Sequence, residues 1–515
     1  MMQFMPRSGR WMPGPVELVF LTVLGILCAG GREGLLNDPG TPWHLRLGRQ
    51  ILETGAVPRV DTLTFTHANV TWVDQSWGFD VLLALVVDTW GWSAAIGLSF
   101  LGLAALYAMI ARGLIRDGHA PIIAVVVAIL VTAISAIHFL IRPHLLTFVF
   151  FYLTFRACQK QHERGGWWVA LAPLYTAILA NLHGGFIALP VIVATGAVGH
   201  AVSGAWDKDR FREVAKFAMA AVACFVAALA NPYGFGLYRH VYNLLVSSGV
   251  TKLIIEYQPV PFGKPEVDIL EGLLLALIAL PVVSTRKIDR YHLAHVLVWL
   301  HLALTAIRNA PFFAIAAAPA IATLLDGLPL SARSSWKRDP RPSIWPAAAI
   351  LALLLMIMGG VKIGGFDLKR WPMAALPALN QQPTAARLFH EQDWGGLIEA
   401  ECQPTRRAYV DDRFEIFGKD AILEYVDVLF GGPAWDTVRD RDKIDLVWLR
   451  PDRGLAKRLL AEPGWEVRYR DDLSILFGRA EARERKMPSS HAADCEIVDN
   501  ASRAVTRFAF PSPRL

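Results

Sequence analysis

The chain has 515 residues, 54% of them hydrophobic and 19% charged, with a net charge of +6. Its mean hydropathy is +0.36 and its pI about 9.0. That balance excludes an ordinary soluble globular protein, which carries more charge. It also argues against nucleic acid as a partner, because the basic residues fall in short loops between apolar runs, as cytoplasmic loops of membrane proteins do.

The apolar runs predict about eleven spans, over 15–31, 93–112, 120–138, 143–158, 167–183, 185–203, 213–231, 268–285, 291–307, 310–328 and 344–363. The first follows Arg7 and Arg10 and reads as an uncleaved span with a cytoplasmic N-terminus. Four basic loops, around Lys160, Arg210, Lys287 and Lys337, then fall on one side, the cytoplasm. The opposite side of a cytoplasmic (inner) membrane receives the loops 32–92 and 232–267 and everything after the last span. Segment 77–92, WGFDVLLALVVDTWGW, is short, carries Asp80 and Asp88 and holds Trp77, Trp90 and Trp92. It predicts an interfacial helix with those tryptophans at headgroup level.

The expected fold class is therefore mainly α: a polytopic helix bundle over 1–364, with juxtamembrane helices in 32–92. An extracytoplasmic α/β domain follows over 365–480, and a polar, loosely ordered tail over 481–515. Strands are expected at 407–410, 446–449, 466–469 and 473–477, with helices at 421–429 and 455–461. Cys28, Cys158 and Cys224 lie in apolar segments as small core residues; Cys402 and Cys495 form no required framework.

The loop at 37–77 carries the chemistry. Asp38 sits where the first span ends, beside a Pro-Gly turn. Thr41 and Pro42 suit the start of a helix, and residues 43–53 alternate as an amphipathic helix does. Asp74 brings the chain back to the surface before segment 77–92. Two such carboxylates can take a proton from an acceptor, or hold a divalent cation such as Mg or Mn against a phosphate. The bland alternative makes Asp38 a turn cap and leaves Asp74 solvated. Glu256 is a third candidate acid in a partly apolar setting that would raise its pKa, with an i,i+4 pair to Lys252 as the plainer reading. Asp411, Asp412 and Arg413 follow an expected strand, where α/β domains place ligands, and read equally as a turn with a solvated ion pair. His292, His295 and His301 share a span without a carboxylate partner and read as packing residues.

The stretch DPGTPWHLRLGRQILETGAVPRVDTLTFT, with NLHGGF at 181–186, NPYG at 231–234 and RNAPFFAIAAAP at 308–319, resembles a bacterial branch of the GT-C superfamily of membrane glycosyltransferases. That superfamily includes protein O-mannosyltransferases, aminoarabinose transferases and oligosaccharyltransferases. The resemblance implies a polyprenyl-phosphate-linked sugar donor, a glycan, lipid or protein acceptor at the outer face, and catalytic roles for Asp38 and Asp74. His44, Arg142, His144, His183, Arg308 and Glu256 become the substrate-binding candidates, the cations among them facing the donor phosphate. If a metal takes part, Asp38 and Asp74 would hold it. Two departures stand out: Pro39 follows Asp38 where many members have Asp-Glu, and the loop His138–His144 lacks the paired acids of oligosaccharyltransferases. A non-catalytic lipid-glycan carrier, transporter or assembly factor on the same scaffold is the rival expectation.

Overall fold

The computed structural model describes residues 12–30, 34–329 and 343–480. The basic stretch around Lys337, Cys495 and the expected tail 481–515 lie outside them.

Every apolar run singled out in the sequence carries a helix. In chain order these are α1 (Pro15–Gly30), the second part of α3 (Trp77–Arg116), α4 (Pro121–Ser135), α5 (His144–Arg164), α6 (Leu171–Leu179), α7 (Ala188–Val202) and α8 (Lys208–Ala227). After the short α9 (Phe235–Tyr242) come α10 (Asp268–Val283), α11 (Arg290–Thr305), α12 (Ala310–Asp326) and α13 (Trp345–Met358). Among the described residues four helical segments are both long and apolar enough to cross a membrane: Trp77–Arg116, Pro121–His138, Gly184–Val202 and Ile307–Asp326. Pro15–Gly30, Trp168–Leu179 and Trp345–Met358 are apolar but shorter. This is a membrane protein with a helical bundle.

The middle of the bundle is α12, nearly all of whose residues are buried. Helices apolar all round take that position. Its alanines let α4, α5 and α11 close in on it.

Segment 77–92 does not lie apart from the next span. It continues into it through a break at Gly91, where φ is +76° and ψ 176°. Glycine accepts that left-handed φ without a Cβ clash. Only Trp90 of the three tryptophans is exposed. Trp77 Nε1 donates to Asn181 Oδ1 at 3.1 Å, and Trp92 packs edge-on to Phe366. The expected headgroup belt is thus a packing device, since two of its members found partners inside the protein.

The C-terminal part is a four-stranded sheet in the order β1-β2-β4-β3, from β1 (Arg387–His390), β2 (Ile444–Leu449), β3 (Trp465–Arg470) and β4 (Ile475–Arg479). β1 runs parallel to β2, and β4 antiparallel to both β2 and β3. Both faces of β2 are covered, so its sequence IDLVWL is almost continuously apolar. Leu446 and Trp448 point into one core with Trp394, while Val447 and Leu449 point into another with Trp435. That period of two follows from the pleat.

The second of those cores is shared. Trp43, Leu47, Leu63 and Trp72, all from segment 37–77, are buried in it with Phe389 and Tyr409. The strand expected at 407–410 is replaced by a single bridge: Phe65 N donates to Ala408 O at 3.0 Å and Ala408 N to Leu63 O at 3.1 Å. Its partner is the distant loop rather than the sheet, which local propensity does not reveal.

Candidate active site

The helix α2 (Thr41–Thr54) is the keystone. Its apolar face lies between α3 and α15 (Gly395–Cys402). Glycine permits both approaches: a Cβ at Gly48 would stand 1.9 Å from Asp80 O, and one at Gly396 would stand 2.3 Å from Pro39 O. The start of α2 is pinned to the loop before α5 as well. Thr41 Oγ1 donates to Ile141 O at 2.9 Å, and Ile141 N donates to Leu35 O at 2.9 Å.

These links bring Asp38 against Arg142. Asp38 is buried, and its Oδ1 lies 2.6 Å from Arg142 Nη2. Its Oδ2 accepts from Thr41 N at 2.8 Å, so the capping role weighed from the sequence is also present. The same Nη2 meets Asp412 Oδ2, and Nη1 reaches Glu256 Oε1 at 3.3 Å. Trp43 Nε1 donates to Asp412 Oδ1 at 2.5 Å. One guanidinium thus joins carboxylates from segment 32–92, segment 232–267 and the C-terminal sheet region. Gly40 lies against this joint: a Cβ there would be 2.8 Å from Arg142 Nη2, 2.8 Å from Asp412 Oδ2 and 3.1 Å from Asp38 Oδ2.

Charge sets the protonation. Burial works against the Arg142 cation, but Asp38, Asp412 and Glu256 outweigh it and raise its pKa. Burial, opposed by Arg142 and reinforced by Asp38 and Asp411, pushes Asp412 up to about 7. Glu256 corrects its expected behaviour. Burial pushes its carboxyl up, yet Arg308 and Arg142 pull it down to about 2, so it is an anion paired to arginines and not a proton shuttle or a partner of Lys252. Arg308 stands over the Tyr257 ring at 4.2 Å from the centroid. His144 and His183 are half-buried with ring centroids 6.4 Å apart. His183 Nδ1 accepts from Thr147 Oγ1 at 2.7 Å and Gly185 N at 3.1 Å, so that nitrogen is committed to holding the NLHGG turn.

Asp74 sits in a second group. It is fully buried and its Oδ1 accepts from Ser76 N at 3.1 Å and Ser76 Oγ at 3.2 Å. Burial, opposed by the Ser76 hydrogen bonds, pushes it up to about 6. His44 Nδ1 lies 2.7 Å from Asp80 Oδ1, and the His44 ring stacks on Trp43 at 3.7 Å between centroids. Burial first, then Arg142 and His183, hold His44 well below the usual imidazole range. Asp38 and Asp74 therefore occupy two separate groups, connected through His44, Trp43 and Asp412.

The solvated ion pair expected at 411–413 is buried instead. Arg413 Nε donates to Asp411 Oδ2 at 3.0 Å, and its Nη2 lies 3.0 Å from Asp61 Oδ1 and 3.8 Å from Glu399 Oε1. The guanidinium lies over Trp72, 4.7 Å from the ring centroid. Burial, with Asp411 adding and Arg413 opposing, raises the Glu399 pKa well above the carboxylate range. Asp80 is the member that sequence reasoning missed, and Asp412, weighed there as a ligand position, is instead held by Arg142 and Trp43. The doubled acid in YVDDRF was the available signal, but its meaning depends on a loop more than 300 residues away in sequence.

A divalent cation does not fit these donors. Both Asp38 oxygens and both Asp412 oxygens already accept from Arg142, Thr41 or Trp43. Among the described residues no group of three His, Cys, Asp or Glu is arranged to hold a metal ion.

No family model and no curated protein matches the sequence. Solved structures do match. The archaeal oligosaccharyltransferase AglB from Archaeoglobus fulgidus, in complex with an inhibitory peptide and a dolichol-phosphate, aligns over 84% of this chain and 69% of its own, with 12% identity and a TM-score of 0.55. The arabinofuranosyltransferase AftD from Mycobacteria aligns over 90% of this chain, which spans 40% of that longer protein, with 14% identity and a TM-score of 0.51. This chain shares its fold with that oligosaccharyltransferase and that arabinofuranosyltransferase.

Proposed function

We propose that the protein moves a sugar from a polyprenyl-phosphate-linked donor to a glycan, lipid or protein acceptor at the outer face of the cytoplasmic membrane. In this reading eleven spans within 1–364 form the membrane domain, and 365–480 form an extracytoplasmic domain that covers the site. The acceptor hydroxyl attacks the anomeric carbon as the bond to the donor phosphate breaks, with inversion. Asp38 takes the hydroxyl proton. Arg142 and Arg308, with His44, His144 and His183 nearby, offset the charge on the departing phosphate. Asp74 and Asp80 hold His44 in place, and Glu256 holds the two arginines.

The observation that carries the reading is the convergence of Asp38, Asp412 and Glu256 on one arginine, within a fold shared with enzymes of this type. When donor phosphate draws Arg142 away, Asp38 is left as an anion beside the acceptor. The rival reading, a lipid-glycan carrier or assembly factor, draws on the fact that both Asp38 oxygens are already bonded. One assay separates them. Purified protein given polyprenyl-phosphate sugars and an acceptor extract should transfer sugar, and Asp38→Asn should lower the rate by at least ~100-fold. Transfer unchanged in that variant removes Asp38 from the chemistry; binding of the lipid-linked sugar without transfer favours the carrier.

A further inference from the structure

The group around Arg142 invites comparison with a metal site. Its nitrogen Nη2 alone touches oxygens of Asp38 and Asp412, and Nη1 adds Glu256. Carboxylates gathered from separate chain segments are what a hard divalent cation asks of a protein. Here they are spread over the two ends of a guanidinium of the same chain. Gly40 supports the view that the seat is built. Its φ is −81°, open to any residue, so the absence of a side chain serves space alone. The space saved is that of the guanidinium and its two nearest carboxylates.

We infer that Arg142 is the built-in cation of this site, seated among Asp38, Asp412 and Glu256 where a divalent metal would otherwise bind, so that the site works without one. A guanidinium remains protonated under all relevant conditions and offers a fork of donors, so it can neutralise the carboxylates and then present the same fork to a phosphate. The exchange needs no bond change: one set of hydrogen bonds, to carboxylates, gives way to another, to the donor. The inference rests on the transferase reading for the purpose of the site, but its test needs no turnover.

The test is Mn2+ binding, read by electron paramagnetic resonance on the full-length protein in nanodiscs at pH 8. Wild type should show no Mn2+ site that depends on Asp412. Arg142→Ala, which leaves three carboxylates without their cation, should gain one site per chain with a Kd on the order of 10⁻⁴ M, the range of weak carboxylate sites. That is at least ~tenfold tighter than wild type, and the site should vanish in Arg142→Ala/Asp412→Asn. Arg142→Lys, which keeps the charge, should stay without metal. The inference is overturned if wild type binds Mn2+ in a way that Asp412→Asn abolishes, or if folded Arg142→Ala gains no site. It is also overturned if Arg142→Lys binds as the alanine variant does. Should Arg142→Ala fail to fold, the wild-type and lysine measurements still decide. If these binding results hold while no polyprenyl-phosphate sugar is ever turned over, the transferase reading fails and the built-in cation stands.

Discussion

Replacing Arg413 with methionine should release the C-terminal sheet region from segment 37–77. The side chain is buried among Asp411, Asp61 and Glu399 and lies over Trp72. Methionine keeps much of the packing volume but removes the cation. Breaking a buried ion pair from one side costs ~3–5 kcal/mol. An independent route gives a similar figure, since protonating one ordinary carboxylate at pH 7 costs ~4 kcal/mol. At ~1.4 kcal/mol per factor of ten, opening of the contact should rise by two to three and a half powers of ten. Hydrogen exchange in nanodiscs reads this at the amides of Phe65 and Ala408, whose bonds tie loop to sheet region. The variant's buried carboxylates must take up protons, so its deficit should shrink as pH falls. Adding Asp61→Asn should recover part of the loss, because one stranded charge is gone. An increase in exchange below ~tenfold, or a deficit that grows at low pH, would refute the account of this network.

The remaining predictions concern the site and the topology. Asp74 has a folded pKa of about 6, above its unfolded value. Its contribution to stability is therefore complete below the unfolded pKa and lost as pH rises through about 6. Asp74→Asn, which mimics the protonated form, should flatten the fall of Tm between pH 4 and 7 and stabilise the protein above pH 6 by no more than ~3 kcal/mol; a wild-type profile in that variant contradicts the assignment. Gly40→Ala should lower stability by ~1–3 kcal/mol through crowding of Arg142 and Asp412, with transfer lost alongside. Wild-type behaviour would show that the joint has room to spare. In a background with native cysteines replaced, Glu53→Cys and Lys457→Cys should react with an impermeant reagent added to intact cells, and Arg212→Cys should not. Any other pattern overturns the proposed orientation.

The membrane bundle was legible because apolar runs of bilayer length have one use, and a helix satisfies its own backbone wherever it sits. The opening of segment 37–77 was legible for a similar local reason: Asp38, the Pro-Gly turn and the amphipathic pattern of α2 are read within a few residues. β2, β3 and β4 also followed from local pattern. What failed was whatever depended on a distant partner. Segment 407–410 looked like a strand and became a bridge to Thr64. Trp77 and Trp92 looked like headgroup anchors and found Asn181 and Phe366.

The sequence by itself determined that this chain enters a membrane, which apolar runs become helices, and which turn carries the first acid. Only the tertiary structure decided that Asp38 meets Arg142, that Asp412 and Glu256 join them, and that Asp74 is buried against Ser76 instead. The physical reason is the range of the forces. Hydropathy and capping act within one helix and leave a local pattern. Ion pairing and burial act between segments separated by hundreds of residues, and a charge shows its partner only when folding has brought the two into the same dry space.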